Sequence, residues 1–386
     1  MIDFNNTEIA FKSKNNRELK NSYFLFKAIG YNFLVKLGPP IIEWCFKLRL
    51  PIKGLIKATV FKQFCGGEDI ADCENAIDKM HAFNIGTILD YSVEGEENEA
   101  TFDATANEII KTIEKAANNP KIPFSVFKVT GIAEFGLLEA INNKKTLSAI
   151  ENSAYERVCK RIDQICETAA RLNVRIFIDA EESWIQDAID ALALDMIKKY
   201  NKEKAIVYNT LQFYRHDRLA FLKLEIEKAK QENYIYGIKL VRGAYMEKEA
   251  DRASKMGYSN PIQATKLNSD NDYNKALAFC IEHLKHTAIC AGTHNEESCL
   301  ILVDMMQKNS IAKNDERIYF SQLFGMSDHL SYNLANAGYN VAKYLPYGPV
   351  KSVLPYLFRR AQENTSVKGQ AGRELALIQK EIARRK

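Results

Sequence analysis

The chain has 386 residues and lacks the short motifs that mark several large enzyme classes. No GxGxxG follows a predicted strand and no GxxxxGK[ST] occurs, so neither a Rossmann dinucleotide fold nor a P-loop is predicted. HExxH, calcium-loop and GxSxG sequences are also missing, which argues against a zincin, an EF-hand and a hydrolase with a nucleophile elbow. The eight cysteines form no CxxC pair, so we predict reduced thiols and no metal site.

Charge of one sign is not in excess, since 53 basic residues face 49 acidic ones and the formal net charge is +4. A dedicated nucleic-acid binder would carry a basic stripe, so no nucleic-acid partner is expected. No apolar run approaches the ~20 residues that span a bilayer, and the first residues do not form a signal peptide. We expect a cytoplasmic chain. The apolar segment 23–64, interrupted by lysines, is expected to pack on the main domain or to touch the cytoplasmic face of the inner membrane peripherally.

The most regular feature of the chain is an alternation of strand-like and helix-like segments. Residues 1–80 are predicted to be helical, with breaks at Gly38-Pro39-Pro40 and at Pro51. Apolar, β-branched runs then predict strands at Ile85–Ser92, Phe124–Thr130, Val174–Ala180, Ala205–Leu211, Tyr236–Val241, Thr287–Ala291, Arg317–Leu323 and Val341–Leu345. A helical segment follows each strand, which predicts a (β/α)8 barrel over residues 81–367 and a basic tail over 368–386. A doubly wound sheet is the alternative fold.

Polar side chains collect at the predicted carboxyl ends of these strands, where the active sites of barrel enzymes form. In chain order they are Asp90, Glu94, Lys128, Asp179, Gln212, Lys239, Arg242, His294, Gln322 and Tyr344. The strand interiors are apolar, so the pattern predicts a binding site at this end. The cations among these residues suit an anionic ligand, a phosphorylated cofactor or both.

Two adjacent arginines, Arg359 and Arg360, lie on the helix after the eighth strand, with Glu363 one turn on. Guanidinium groups grip carboxylates at two points, so the pair predicts an anion lying across the seam between them. A solvated surface pair is the alternative. Lys128 is ambiguous, because it suits either the Schiff-base amine of a lyase or an ion pair with Glu94 or Asp179.

Five stretches resemble the proline dehydrogenase family. They are LVRGAY (240–245), DAEE (179–182), THN (293–295), QLFGM (322–326) and YLPYGP…YLFRRAQEN (344–364), in the family's order and spacing. The chain is similar to the monofunctional, eukaryotic-type form. The resemblance implies FAD at the mouth of a (β/α)8 barrel, oxidation of L-proline to Δ1-pyrroline-5-carboxylate, and electron transfer to a membrane quinone.

The resemblance also implies roles for individual side chains. The implied substrate contacts are Lys128, Arg359 and Arg360 for the carboxylate and Leu323, Tyr344 and Tyr356 for the ring. Glu94 would pair with an arginine and help to close the catalytic site. The implied FAD contacts are Gln212, Lys239, Arg242, Gly243, Ala244, His294 and Glu363, with Asp179 near the isoalloxazine.

One stretch departs from the family pattern. The long bifunctional enzymes have Arg-Leu-Val-Lys-Gly-Ala-Tyr-Trp where this chain runs from Lys239 to Met246, so two cations are exchanged. A flavin contact made by a guanidinium there would here come from an ammonium.

Hydroxyproline dehydrogenase is the alternative within the family. Tyr344 favours proline because the hydroxyproline branch is expected to carry a smaller residue at this position. A Schiff-base lyase and a non-catalytic, membrane-associated binding protein are the alternatives outside it.

Overall fold

The main element of the fold is a closed barrel of parallel strands. The structure is a computed structural model. It describes the backbone of residues 2–92, 98–366 and 370–386, and their side chains except those at 32, 34–36, 43, 362–366, 370 and 371. Within these residues, eight strands follow one another around the barrel in sequence order. The predicted (β/α)8 fold is therefore confirmed.

The strands begin close to the predicted apolar runs, and their interiors are buried. They are β1 (Ile85–Tyr91), β2 (Phe124–Lys128), β3 (Arg175–Asp179), β4 (Val207–Gln212), β5 (Tyr236–Val241), β6 (Thr287–Gly292), β7 (Ile318–Leu323) and β8 (Val341–Tyr347). Parallel strands in a barrel are covered on both faces, which is why their sequences are nearly continuous apolar runs.

Helices precede the barrel and connect its strands. The first group is α1 (Thr7–Ala10), α2 (Asn16–Ile29), α3 (Asn32–Lys47), α4 (Lys53–Ile56), α5 (Lys62–Phe64) and α6 (Glu74–His81). Between strands lie α7 (Glu99–Ala116), α8 (Phe135–Asn142), α9 (Ala149–Arg171), α10 (Ser183–Tyr200), α11 (Arg218–Glu232), α12 (Met246–Met256), α13 (Lys266–Glu282), α14 (Glu296–Lys308) and α15 (Asp328–Asn336). After β8 come α16 (Leu354–Ser366) and α17 (Gln370–Arg384).

The chain divides into two compact units, one of Met1–Glu94 with Gln322–Lys386 and one of Gly95–Ser321. In the second unit, aromatic rings fill the barrel interior towards the amino ends of the strands. Phe124 stacks on Phe177 with centroids 4.4 Å apart, and Tyr319 meets Phe124 edge-on at 4.8 Å. This packing leaves the opposite, carboxyl ends of the strands for polar side chains.

In the first unit, β1 pairs with β8 in parallel, so that Ile88 lies beside Tyr344. The N-terminal helices, α16 and α17 share a separate apolar core. Its largest buried members are Phe11, Phe26, Phe61, Phe64, Tyr356 and Leu357. Sequence-distant ends of the chain are thus held together by burial of apolar surface.

The predicted helix break at Gly38-Pro39-Pro40 is wrong. Helix α3 runs from Asn32 to Lys47 with both prolines inside it. Two prolines remove two backbone donors, so isolated propensity disfavours this helix. Tertiary packing overrides that cost, because Ile42 and Phe46 pack against the apolar core of this unit. The break at Pro51 does occur, between α3 and α4.

Three further segments differ from the sequence-based expectation. Helices α8 and α12 follow β2 and β5 directly and were not anticipated. The segment predicted as a basic tail contains α17, whose Leu377 and Ile378 are buried in the core of the first unit. The predicted domain limits themselves stay a prediction.

Candidate active site

In the Gly95–Ser321 unit, candidate polar residues stand at the carboxyl ends of neighbouring strands. Lys128 and Asp179 are the last residues of β2 and β3 and are paired in register. The Lys239 ammonium donates to Oδ1 of Asp179 at 2.5 Å. Lys239 is almost fully buried, whereas the Asp179 side chain keeps some exposure. A buried ammonium requires such a partner, so Asp179 holds Lys239 in place.

Arg242, just after β5, is fixed from three sides. Its Nε donates to Asp270 Oδ1 at 2.6 Å, and its terminal nitrogens donate to Thr293 and Ser298 hydroxyls at 2.8 Å each. The guanidinium also stacks on the Tyr273 ring at 4.4 Å. These contacts fix the orientation of a cation that sequence reasoning assigned to the cofactor.

The turn after Arg242 exposes backbone. Gly243 has φ +127°, which other residues rarely adopt. A Cβ there would lie 2.5 Å from the Tyr214 ring. Gly243 and Ala244 are both exposed. The chain therefore presents open backbone beside fixed cations at the end of β5.

Gln212, the last residue of β4, holds the loop after β3. Its buried Nε2 donates to the Glu181 carbonyl at 2.7 Å. The Glu181 N–H in turn donates to Gln186 Oε1 at 2.8 Å. The Gln186 Nε2 donates to Asp190 Oδ1 at 2.9 Å. The Asp190 carboxylate also accepts from Asn209 at 2.9 Å and from Arg218 at 2.7 Å. A buried, paired polar network thus fixes the DAEE segment.

Glu181 is a functional candidate that sequence reasoning missed. Its side chain is buried and accepts from the Thr130 amide at 3.0 Å and from the Thr130 hydroxyl at 2.5 Å. Burial raises the pKa of Glu181 to about 7, although the Lys128 ammonium and the Thr130 hydrogen bonds act in the opposite direction. A carboxyl that titrates near neutrality beside a candidate ligand-binding lysine is typical of active sites. Its place in the DAEE stretch was the available signal.

The rest of the DAEE segment is held by α12. Lys248 pairs with Glu182. Glu249 accepts from the backbone N–H and the hydroxyl of Ser183 at 2.6 Å each. A carboxylate at the first turn of α10 satisfies its backbone donors and complements the helix dipole.

In the first unit, the loop after β7 is positioned by sequence-distant helices. The Gln63 Nε2 donates to the Gly325 carbonyl at 2.7 Å, and Glu374 of α17 accepts from the Ser327 amide. The Phe324 amide donates to the Tyr344 carbonyl at 2.8 Å. Leu323, at the end of β7, and Tyr344, in β8, are both candidate ring contacts. A backbone hydrogen bond therefore holds the loop after Leu323 to the strand that carries Tyr344.

The arginine pair lies on α16. Arg360 is buried, and its guanidinium lies over the buried Tyr356 ring at 5.1 Å. Arg359 is half-buried. Arg360 therefore differs from the solvated side chain that was the alternative, since a solvated arginine is not packed on a buried ring. The structure thus brings Tyr356, Arg359 and Arg360 onto one packed helix.

Three predicted residues remain less defined. Glu94 lies outside the described residues, and so does the side chain of Glu363. His294 follows β6 and is half-buried. Their predicted roles stay predictions.

The side chains in and just after β4, β5 and β6 fit a phosphorylated cofactor with carbonyl groups. Lys239 and Arg242 are fixed cations, and the exposed backbone at Gly243 allows close approach. In the described part of the chain, no group of three His, Cys, Asp or Glu side chains is arranged to hold a metal ion. Nor does any described helix combine the length and apolarity needed to cross a membrane.

Comparison with known proteins gives consistent matches. A family model described as Proline dehydrogenase matches residues 73–373. Proline dehydrogenase 1, mitochondrial, of Dictyostelium discoideum is 33% identical over 425 residues, covering 98% of this chain and 74% of that protein. Hydroxyproline dehydrogenase of Xenopus laevis is 29% identical over 413 residues, covering 97% and 88%.

Solved structures show the same fold. Proline utilization A (PutA) from Bdellovibrio bacteriovorus matches with a TM-score of 0.73 and 20% identity, over 93% of this chain. This chain spans only 38% of that PutA chain. At such identity, the likeness concerns the barrel fold alone.

Proposed function

This chain belongs to the proline dehydrogenase family, and on that premise we propose that it oxidises L-proline to Δ1-pyrroline-5-carboxylate with FAD as cofactor. The family match over residues 73–373 carries the proposal, because it spans every motif that suggested the activity. The fixed cations and buried carboxyl groups at the ends of β2 to β5 support it.

The substrate carboxylate is the first recognition element. Lys128, Arg359 and Arg360 are its proposed ligands. Charge-assisted contacts to a carboxylate give both affinity and orientation, which converts binding energy into alignment of the reacting carbon. Tyr344, Leu323 and Tyr356 would surround the ring and exclude water from it. Glu94 is proposed to pair with an arginine when the site closes.

The positively charged side chains of the site would also affect the protonation state of the substrate amine. Free proline carries an ammonium at neutral pH, and oxidation of its C–N bond requires the neutral amine. Positive side chains near the bound substrate favour loss of that proton. Glu181 is buried near Lys128 and titrates near neutrality, so it sets how much net positive charge this strand end carries.

FAD would be held by residues in or just after β4, β5 and β6 and by one residue on α16. These are Gln212, Lys239, Arg242, Gly243, Ala244, His294 and Glu363. Asp179, which accepts a hydrogen bond from Lys239, would lie near the isoalloxazine. When bound, the flavin accepts the hydride equivalent that leaves proline. The exchanged order of Lys239 and Arg242 leaves both positive charges present, and both are already fixed by the protein.

A membrane quinone is the proposed electron acceptor, which requires peripheral contact with a membrane.

Two alternative functions can be tested against this proposal. Hydroxyproline oxidation would use the same machinery with a roomier ring pocket, and Tyr344 argues against it because its bulk fills that pocket. A Schiff-base lyase would use Lys128 as its amine, and borohydride trapping of a substrate on Lys128 would favour it.

The test uses the purified chain supplied with FAD, L-proline and a soluble quinone analogue. We expect loss of quinone absorbance together with a product that reacts as a cyclic imine with o-aminobenzaldehyde. D-proline serves as the matched control, since a carboxylate clamp discriminates the two enantiomers. Absence of imine product, with FAD bound, would contradict the proposal.

A further inference from the structure

We propose that helix α3 is a docking surface for an anionic lipid bilayer, through an apolar stripe formed by Phe33, Leu37, Ile41, Trp44 and Leu48. Each of these side chains is more than half exposed. Their spacing of four, four, three and four residues places them on one face of the helix. The structure thus presents a continuous apolar stripe to solvent.

The opposite face of α3 is already packed. Ile42 and Phe46 lie against the apolar core that includes Leu354, Tyr356 and Leu357. A helix that is apolar on both faces needs cover on both. The chain supplies cover on one side only, so the exposed stripe is not the ordinary outer face of a surface helix.

The concentration of such side chains in this region is unusual. Of the sixteen large apolar side chains that are exposed in the described part of the chain, nine lie between Phe24 and Leu55. Scattered exposed apolar residues need no explanation, but a clustered set marks a contact with another apolar phase.

The charge around the stripe selects the partner. Residues 20–62 contain eight lysines and arginines and one acidic residue, a net +7 in a chain whose total is +4. Lys53 and Lys57 are paired with Glu68 at 2.9 Å, and Lys47 and Arg49, the sequence neighbours of Leu48, are exposed. An apolar stripe flanked by cations matches the interface of an anionic bilayer, whereas a second copy of the same positive surface would be repelled.

The position of Trp44 agrees with this partner. Its ring is exposed at the middle of the stripe. Tryptophan favours the headgroup level of bilayers, where its apolar ring and its N–H are both satisfied. Helix α3 would then lie in the plane of the membrane surface, as an interfacial helix does.

The location relates this surface to the proposed function, on which only its purpose rests. Helix α3 packs against α16, which carries Arg359 and Arg360. Lipid binding through α3 would therefore place the helix of the proposed substrate site next to the membrane that holds the quinone. Lipid binding itself requires neither FAD nor proline, so it is measurable independently.

The first experiment uses Trp44 as its own reporter. The chain has two tryptophans, and Trp184→Phe leaves Trp44 alone. We add vesicles of phosphatidylcholine, with or without phosphatidylglycerol, to this otherwise complete protein. Emission should shift to shorter wavelength with the anionic vesicles and much less with the neutral ones. An unchanged spectrum with anionic vesicles overturns the proposal.

The second experiment compares vesicle sedimentation of two matched variants. Leu37→Ser with Trp44→Ser removes two stripe residues, and Ile150→Ser with Leu224→Ser removes two exposed apolar residues elsewhere. All four are surface positions, so both variants should fold, as circular dichroism will check. The stripe variant should bind anionic vesicles at least tenfold more weakly than wild type, and the control variant should bind as wild type does.

Three outcomes overturn the inference. They are failure of the wild type to bind anionic vesicles at low salt, equal binding by the two variants, and self-association that the stripe substitutions abolish without any lipid binding. The last would assign the stripe to a second copy of the chain. Lipid binding without proline turnover would refute the proposed function alone, whereas turnover without lipid binding would refute only this inference.

Discussion

Replacing Glu181 with glutamine separates its charge from its shape. Glutamine has the same size, its oxygen accepts from the Thr130 amide, and its NH2 donates to the Thr130 hydroxyl oxygen. Both hydrogen-bonding positions stay satisfied. Any change in the variant therefore reports the ionisation of Glu181.

The stability effect follows from the pKa of Glu181, which burial raises from 4.5 to about 7. In that window the folded protein binds more protons at this group than the unfolded chain does, so stability falls as pH rises. The stabilisation is complete below 4.5 and is lost through about 7. The size is about 3 kcal/mol, at ~1.4 kcal/mol per pH unit.

We therefore expect Glu181→Gln and wild type to unfold at similar urea concentrations below pH 4.5. Above pH ~7 the variant should be more stable by up to about 3 kcal/mol. Parallel pH curves for the two proteins would refute the assignment of a near-neutral pKa to Glu181.

The binding effect tests whether Lys128 holds the carboxylate. Ionised Glu181 would oppose an anion bound beside Lys128 by about 1–2 kcal/mol, or roughly five- to thirtyfold in Kd. Cyclopentanecarboxylate has a ring and a carboxylate but no amine, so its own charge stays constant near neutral pH. Its Kd, measured from the flavin spectrum, should rise through about pH 7 in wild type and stay low in Glu181→Gln. An identical pH dependence in both proteins would remove Lys128 from the carboxylate site.

Four other substitutions give direct tests. Arg359→Ala and Arg360→Ala should each raise KM for proline, at a cost of roughly 2–4 kcal/mol in kcat/KM, while flavin content stays normal; wild-type kcat/KM in either variant would exclude that arginine from the clamp. Tyr344→Ser should lower kcat/KM for proline and reduce its preference over trans-4-hydroxy-L-proline, and an unchanged ratio would contradict the role of the ring. Gly243→Ala should lower the unfolding temperature or flavin content because of its φ of +127° and the ring beneath it. Gly372→Ala, which meets nothing within 4 Å, is its control and should have little effect.

The barrel was predictable because each strand is a short apolar run followed by a helical segment. Asp179 and Lys239 were predictable for the same reason, since both stand near strand ends whose positions the pattern fixes. Their mutual contact was not predicted, because the relative register of β3 and β5 is set by the pairing of each strand with β4 and not by local sequence.

Other features depended on sequence-distant contacts. Helix α3 survives Pro39 and Pro40 because its Ile42 and Phe46 pack on a core built from both ends of the chain. Glu181 was overlooked beside Asp179 because burial in the folded protein raises its pKa, against the opposing effect of the Thr130 hydrogen bonds. Burial and packing that depend on sequence-distant contacts cannot be predicted from a short stretch of sequence.

The most direct test of the proposed activity is a flavin spectrum under anaerobic conditions. The purified chain, loaded with FAD, is mixed with L-proline in the absence of any other acceptor. The proposal predicts that the visible absorbance of the oxidised flavin disappears with L-proline and persists with D-proline. A protein that binds FAD but keeps its oxidised spectrum in excess L-proline would contradict the central claim.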